Sequence, residues 1–250
     1  MAATMLHTAL AVGAALVALA FSMSTFERWL AKRRRHELAW SIALALFSAA
    51  SFSLAAGAAL GFDAVSFRLF YLFGAVVNVP VLALGTVYLL AGQRRGDQWS
   101  AAVALLAAFA AGVVVASPLR APIPPHELVQ GKQVFGPLPR IFAAVGSGAG
   151  ALVILVGSAL SAWRLRRGRM LWSNVLIVLG TLTLSASGLL NGVLDAMDAF
   201  AVTLTTGICI LFAGFLVGAA GGRRPEAAAS PVPSGGAQLP SQQLAGVADR

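Results

Sequence analysis

The apolar positions of this chain fall in long unbroken runs. A helix needs about 20 such residues to cross the hydrocarbon core of a bilayer. Seven runs approach or exceed that length, at roughly 4–23, 38–60, 68–91, 100–117, 141–163, 171–192 and 200–219, the fourth being the shortest. None shows the alternation of a barrel strand, and alanine and leucine dominate, so the runs predict helices. The expected fold class is all-α: a polytopic membrane helix bundle with seven transmembrane helices in residues 1–220.

Composition agrees with lipid as the solvent. Hydrophobic residues make up 58% of the chain and charged residues 11%, whereas a soluble domain carries roughly a quarter charged residues. In water such a surface would expose apolar patches far above what monomers tolerate. The net charge of +9 would suggest nucleic acid in a soluble protein. Here the basic residues occupy short loops between apolar runs, where orientation signals sit, and no nucleic-acid partner is expected.

Those loops set a direction. Arg28, Lys32, Arg33, Arg34 and Arg35 lie between runs one and two, Arg94 and Arg95 after run three, Arg164, Arg166, Arg167 and Arg169 after run five, and Arg223 and Arg224 after run seven. The alternate loops hold Arg68, Arg120, Lys132 and Arg140. Thirteen against four makes the first set cytoplasmic, with the N-terminus outside and the C-terminus in the cytoplasm. Trp29, Trp40, Trp99, Trp163 and Trp172 all fall beside the same loops, as expected of indoles at a headgroup boundary. The first run carries its basic residues after it, the reverse of a cleavable signal, and is read as a retained helix.

Two segments are set apart from the runs. Residues 118–140 contain Pro118, Pro122, Pro124, Pro125, Pro137 and Pro139, a density that forbids a continuous helix and predicts a stiff, extended outer rim. Residues 221–250 are rich in Gly, Pro, Ser, Ala and Gln and are expected to form a disordered cytoplasmic tail. A shift of 132 positions superposes Arg34, Arg35, Trp40, Ser41, Leu44, Ser53, Asp63 and Ala64 on Arg166, Arg167, Trp172, Ser173, Leu176, Ser185, Asp195 and Ala196. This match suits either a parallel three-helix repeat joined by a linker helix or shared boundary composition alone.

Several chemistries lack their residues. The last run has no lysine for a retinal Schiff base. Histidines 7, 36 and 126 lie at run ends or in loops rather than at haem-ligating depth, and every acidic residue lies in a loop, at a run end or in the tail. Cys209 is the single cysteine, which excludes an internal disulfide and a multi-thiolate metal site. No cofactor, metal or catalytic constellation is expected, and the chain is read as no enzyme.

Neutral polar residues remain. Asn78 stands two positions before Pro80 near the middle of run three. Proline there kinks the helix and frees a carbonyl about one turn earlier. In lipid that carbonyl needs a protein donor, expected from a hydroxyl of run six or seven. Thr181, Thr183, Ser185 and Ser187 in run six, Thr203, Thr205 and Thr206 in run seven, and Gly146 with Gly150 in run five suit close helix packing. Asn78, Thr183, Ser187, Thr203 and Thr206 also fall in the middle or outer half of the membrane, below Arg68, Asp195, Asp198 and His126. These outer-half residues make a speculative ligand-binding set in an outward-facing polar cavity. Arg68, Asp195 and Asp198 suit a solvated rim equally well.

The segments Phe67–Gly74 with Asn78-Val79-Pro80, and Phe200–Leu204 with Phe212–Phe215, resemble a group of small actinobacterial seven-helix membrane proteins without an assigned activity. The layout is also similar to the seven-helix sensor regions that precede bacterial histidine kinases, though here a disordered tail, rather than a signalling domain, is expected after the last run. It differs from the seven-helix sugar facilitators in lacking paired Pro-Gln motifs. The resemblance implies a multi-pass protein of the bacterial cytoplasmic membrane. Two function classes stay open. One is a non-enzymatic sensor or partner subunit that binds an outer-side small ligand or another membrane protein. The other is a facilitator or transporter of a small neutral solute.

Overall fold

The chain folds into an all-α bundle, seen in a computed structural model that describes residues 2–123, 131–164, 168–194 and 197–220. The helices are α1 (Ala2–Lys32), α2 (Arg35–Leu60), α3 (Ala64–Phe70), α4 (Asn78–Ala91), α5 (Gln93–Ala116), α6 (Gly131–Val134), α7 (Pro137–Arg164), α8 (Arg169–Leu194) and α9 (Met197–Ala220). A π-helical segment, Tyr71–Val77, joins α3 to α4 without a break. Five helices are long and apolar enough to cross a membrane: Thr8–Lys32, Arg35–Leu60, Ala64–Ala91, Gln93–Ala116 and Pro137–Ser161. Two shorter apolar segments, Leu171–Ala186 and Val202–Gly218, lie within α8 and α9. By length and composition this is a multi-pass membrane protein.

Local chemistry explains the boundaries. At three turns that carry basic residues or adjoin them, the backbone takes a positive φ: 52° at Arg33, 84° at Gly92 and 83° at Gly168. A left-handed residue just past a helix lets the chain reverse within a few positions, and glycine does so without a Cβ clash. Arg33 makes the same reversal as a non-glycine, its N–H donating to Trp29 O at 2.6 Å. At the opposite end Asp63 and Ser66 form a reciprocal capping box that starts α3.

Neighbour contacts run α1–α2, α2–α4, α4–α7, α7–α8, α8–α9 and α9–α1, which closes a ring of six helices. The sixth contact is direct: Thr205 Oγ1 donates to Leu10 O at 3.2 Å. Helix α5 touches α4 and α7 from outside the ring. Only 11% of its apolar window is buried, against 44% for α2. Chain directions alternate. Ser22 with Ser41 and Ala15 with Ser48 pair antiparallel across α1 and α2. Ser147 with Ala75, Gly150 with Val79 and Gly157 with Thr86 climb together, so α7 runs parallel to α4. The turns at 33–34, 92 and 168 therefore share one end of the bundle, called here the basic end.

The ring interior is filled unevenly. Ala11, Leu54, Ala55 and Phe62 pack the half remote from the basic end, with Phe70, Ile123 and Leu204 against them. Ala14, Ala18, Phe21, Leu44, Phe47, Ile208 and Leu211 pack the middle. A third cluster brings Val134 and Phe135 fully out of solvent against Phe67 and Tyr71.

The proline-rich segment therefore departs from a purely extended rim. Residues 131–134 form a helical turn, and Pro137 and Pro139 begin α7, because proline is tolerated in the first turn, where no N–H donor is needed. The tail 221–250, His126 and Asp195 lie outside the described residues. So does part of the repeat match. Where it can be inspected, Ser41 and Ser173 are both buried, but they bond to unlike neighbours. Ser41 Oγ donates to Ser22 O of the preceding helix, and Ser173 Oγ to Gly214 O of the following one. Trp40 is half-buried over Gly85, while Trp172 is 65% exposed. The match reflects similar boundaries more than similar packing.

Candidate functional site

A partly open cavity of about 80 Å³ lies in the basic half of the ring. Every ring helix contributes to it: Phe21 from α1, Trp40 from α2, Leu82, Thr86, Leu89 and Leu90 from α4, Ile154, Gly157, Ser158 and Ser161 from α7, Asn174 and Ile177 from α8, and Leu211 and Phe215 from α9. No charged side chain lines it. Its polar groups are hydroxyls and one amide, and Asn174 Nδ2 donates to Ser161 Oγ at 3.1 Å. Space for one water takes about 10–15 Å³, so the volume suits a guest of roughly five water-sized atoms.

Glycines bring the walls together. A Cβ on Gly157 would come within 2.5 Å of Thr86, and one on Gly85 within 2.2 Å of Trp40. The same α7 stripe continues through Gly150 and Gly146 against Val79, Val76 O and Pro80, which is close helix approach of the small-xxx-small kind.

Charged groups gather beyond the cavity at the basic end. Arg28 Nε lies 3.5 Å from Glu37 Oε2, and the Arg28 guanidinium sits 3.8 Å from the centroid of the Phe215 ring. His36 meets Trp40 edge-on at 5.2 Å. Since Phe215 and Trp40 are themselves cavity walls, the ion pair is stacked directly behind them. Arg35 pairs with Asp97, which also accepts from Tyr88 Oη at 2.8 Å, tying α2, α4 and α5 together.

Five of the eight residues proposed from sequence have described side chains, and Asn78, Arg68, Thr183, Thr203 and Thr206 are not among the residues that line this cavity. Asn78 is buried on α4, and among the described residues no donor reaches its Oδ1. Arg68 Nη1 donates to Val114 O and Val115 O, and Nη2 to Ser117 O at 2.8 Å, so it caps the C-terminus of α5. Thr183 Oγ1 returns its hydrogen bond to Leu179 O in its own helix at 2.8 Å. Thr203 is half-buried and Thr206 exposed. Ser187 and Asp198 fall on α8 and α9 with side chains outside the described set, as is all of Asp195.

A hydroxyl donor does reach a carbonyl of the bent stretch before Pro80, and it comes from α7 rather than from run six or seven. Asn78 N–H bonds to Phe73 O, five residues back. The α-helical register resumes at Asn78, and Pro80 contributes no N–H to this transition. Ser147 Oγ of α7 donates to Ala75 O at 2.5 Å. The expected donor lay in run six or seven, but α7 is the neighbour that runs alongside α4. Sequence reasoning also passed over Thr86, Ser158, Ser161 and Asn174. The three-residue spacing of Ser158 and Ser161 beside Gly157 was the signal available.

Comparison with known proteins returns no match: no family model, curated protein or solved structure is similar to the chain.

Proposed function

We propose that the chain is a non-enzymatic facilitator of a small neutral solute, crossing the bacterial cytoplasmic membrane seven times with its N-terminus outside. One observation carries this reading. A cavity is walled by all six ring helices, with hydroxyl and amide groups among apolar side chains and no charged side chain among the described residues that line it. A charged cargo in such a site would lack a partner for its charge. The basic residues at the turns favour a cytoplasmic position for the cavity, and apolar packing by Phe62, Leu54 and Ile123 fills the opposite half. The resemblance to small actinobacterial seven-helix proteins supports the bacterial setting.

The test is solute flux. Proteoliposomes carrying the protein should re-swell faster than protein-free vesicles under a urea or glycerol gradient. Ser158→Phe directs a ring into the cavity and should abolish the acceleration while the protein still purifies as a folded monodisperse species. A second reading, as partner subunit, draws on α5, whose Trp99, Leu105, Phe109 and Val115 are exposed outside the ring. Absence of any accelerated flux would favour it.

A further inference from the structure

We propose that Asn78 is the docking acceptor for the solute in transit, and that the solute carries an O–H or N–H donor. The inference rests on the facilitator reading and names its substrate class. Asn78, Leu82, Gly85 and Leu89 stand at i, i+4, i+7 and i+11 of α4, a single helical stripe. Leu82 and Leu89 line the cavity, and Gly85 packs under Trp40, another of its walls. Asn78 continues that stripe about 6 Å beyond Leu82, at about 1.5 Å per residue. It is 7% exposed, and its Oδ1 is buried without a donor among the described residues. Buried amide oxygens are nearly always hydrogen-bonded, and an exception needs a reason. A donor arriving with the solute supplies one.

The surrounding backbone suits a moving part. Asn78 is the first residue after the π-helical segment, and Pro80 follows two positions later. Both features mark places where a helix bends, and π segments recur at functional sites. Between the cavity and Asn78 stands Leu82, packed with Phe21 and Leu211 in the central cluster. Bending at Pro80 shifts Leu82 relative to these two and joins the cavity to the amide. The cavity of about 80 Å³ fits a guest the size of urea or glycerol. Both carry the donors that Asn78 lacks, and neither carries a charge.

The experiment compares wild type, Asn78→Leu, Asn78→Thr and Ser158→Phe in proteoliposomes, reading urea and glycerol flux together with the Tm of each protein. Asn78→Leu should lower the protein-dependent flux at least about tenfold, the effect of losing one good hydrogen bond. Its Tm should stay level or rise, because leucine leaves no acceptor unpaired. Asn78→Thr keeps an oxygen acceptor and should retain measurable flux. If Asn78→Leu does not fold, Asn78→Ala carries the same expectation. Wild-type flux in Asn78→Leu, with Ser158→Phe inactive, would overturn the role of Asn78 and leave the facilitator reading standing. No flux of either solute through wild type would overturn both.

Discussion

At the scale of single residues, Pro80 and Ser147 form a matched pair. Proline withholds one backbone N–H where the π segment passes into α4, and Ser147 Oγ donates to Ala75 O in that stretch at 2.5 Å. In a bilayer such a carbonyl has no water to turn to. Interhelical hydrogen bonds of this type are worth roughly 0.6 kcal/mol on average and up to about 2. Ser147→Ala should therefore lower stability by about 1–2 kcal/mol. Pro80→Ala restores the backbone donor, and in that background Ser147→Ala should cost measurably less. A double-mutant cycle on thermal stability reads this coupling, and additive costs would mean that Ser147 does not answer Pro80. The need for a donor was legible in the Asn78-x-Pro80 pattern. Its source was not, because it depends on which helix runs beside α4 and in what register.

At the scale of elements, all seven apolar runs return as helices, several of them longer than the runs. Helix α1 continues to Lys32 and so carries Arg28 inside the bundle, where Phe215 and Glu37 receive it. Hydropathy marks where lipid begins, but a helix ends where its hydrogen bonds do. The π segment left no trace in the pattern, since its residues are as apolar as their neighbours. The start of α3 is legible in Asp63-x-x-Ser66. The Asp63 carboxylate accepts from Ser66 N–H at 2.7 Å, and the Ser66 hydrogen bonds hold its pKa below the usual carboxylate value. A depressed pKa means that the cap is fully present above the unfolded value and is lost as pH falls through the lowered folded one. Protection of the Ser66 amide in hydrogen exchange should thus persist to about pH 4 and decline below it. In Asp63→Asn, which caps without titrating, the decline should vanish. An identical profile in that variant would exclude the carboxylate as its cause.

At the scale of the molecule, closure of six helices around one cavity, with α5 left outside, could not be read from a chain whose helices are all similarly apolar. Polar residues in the outer half drew attention there. Yet Thr183 is satisfied within its own helix and Arg68 by the end of α5, while Ser158 and Asn174 near the basic end face a shared space. Position along each helix was legible, and facing direction was not. The central claim, a cavity on the cytoplasmic side, is tested most directly by a thiol at position 158. Ser158→Cys in a Cys209→Ser background should react with a small membrane-impermeant thiol reagent in inside-out vesicles and stay unmodified in right-side-out ones. Modification only from the outside would contradict the account.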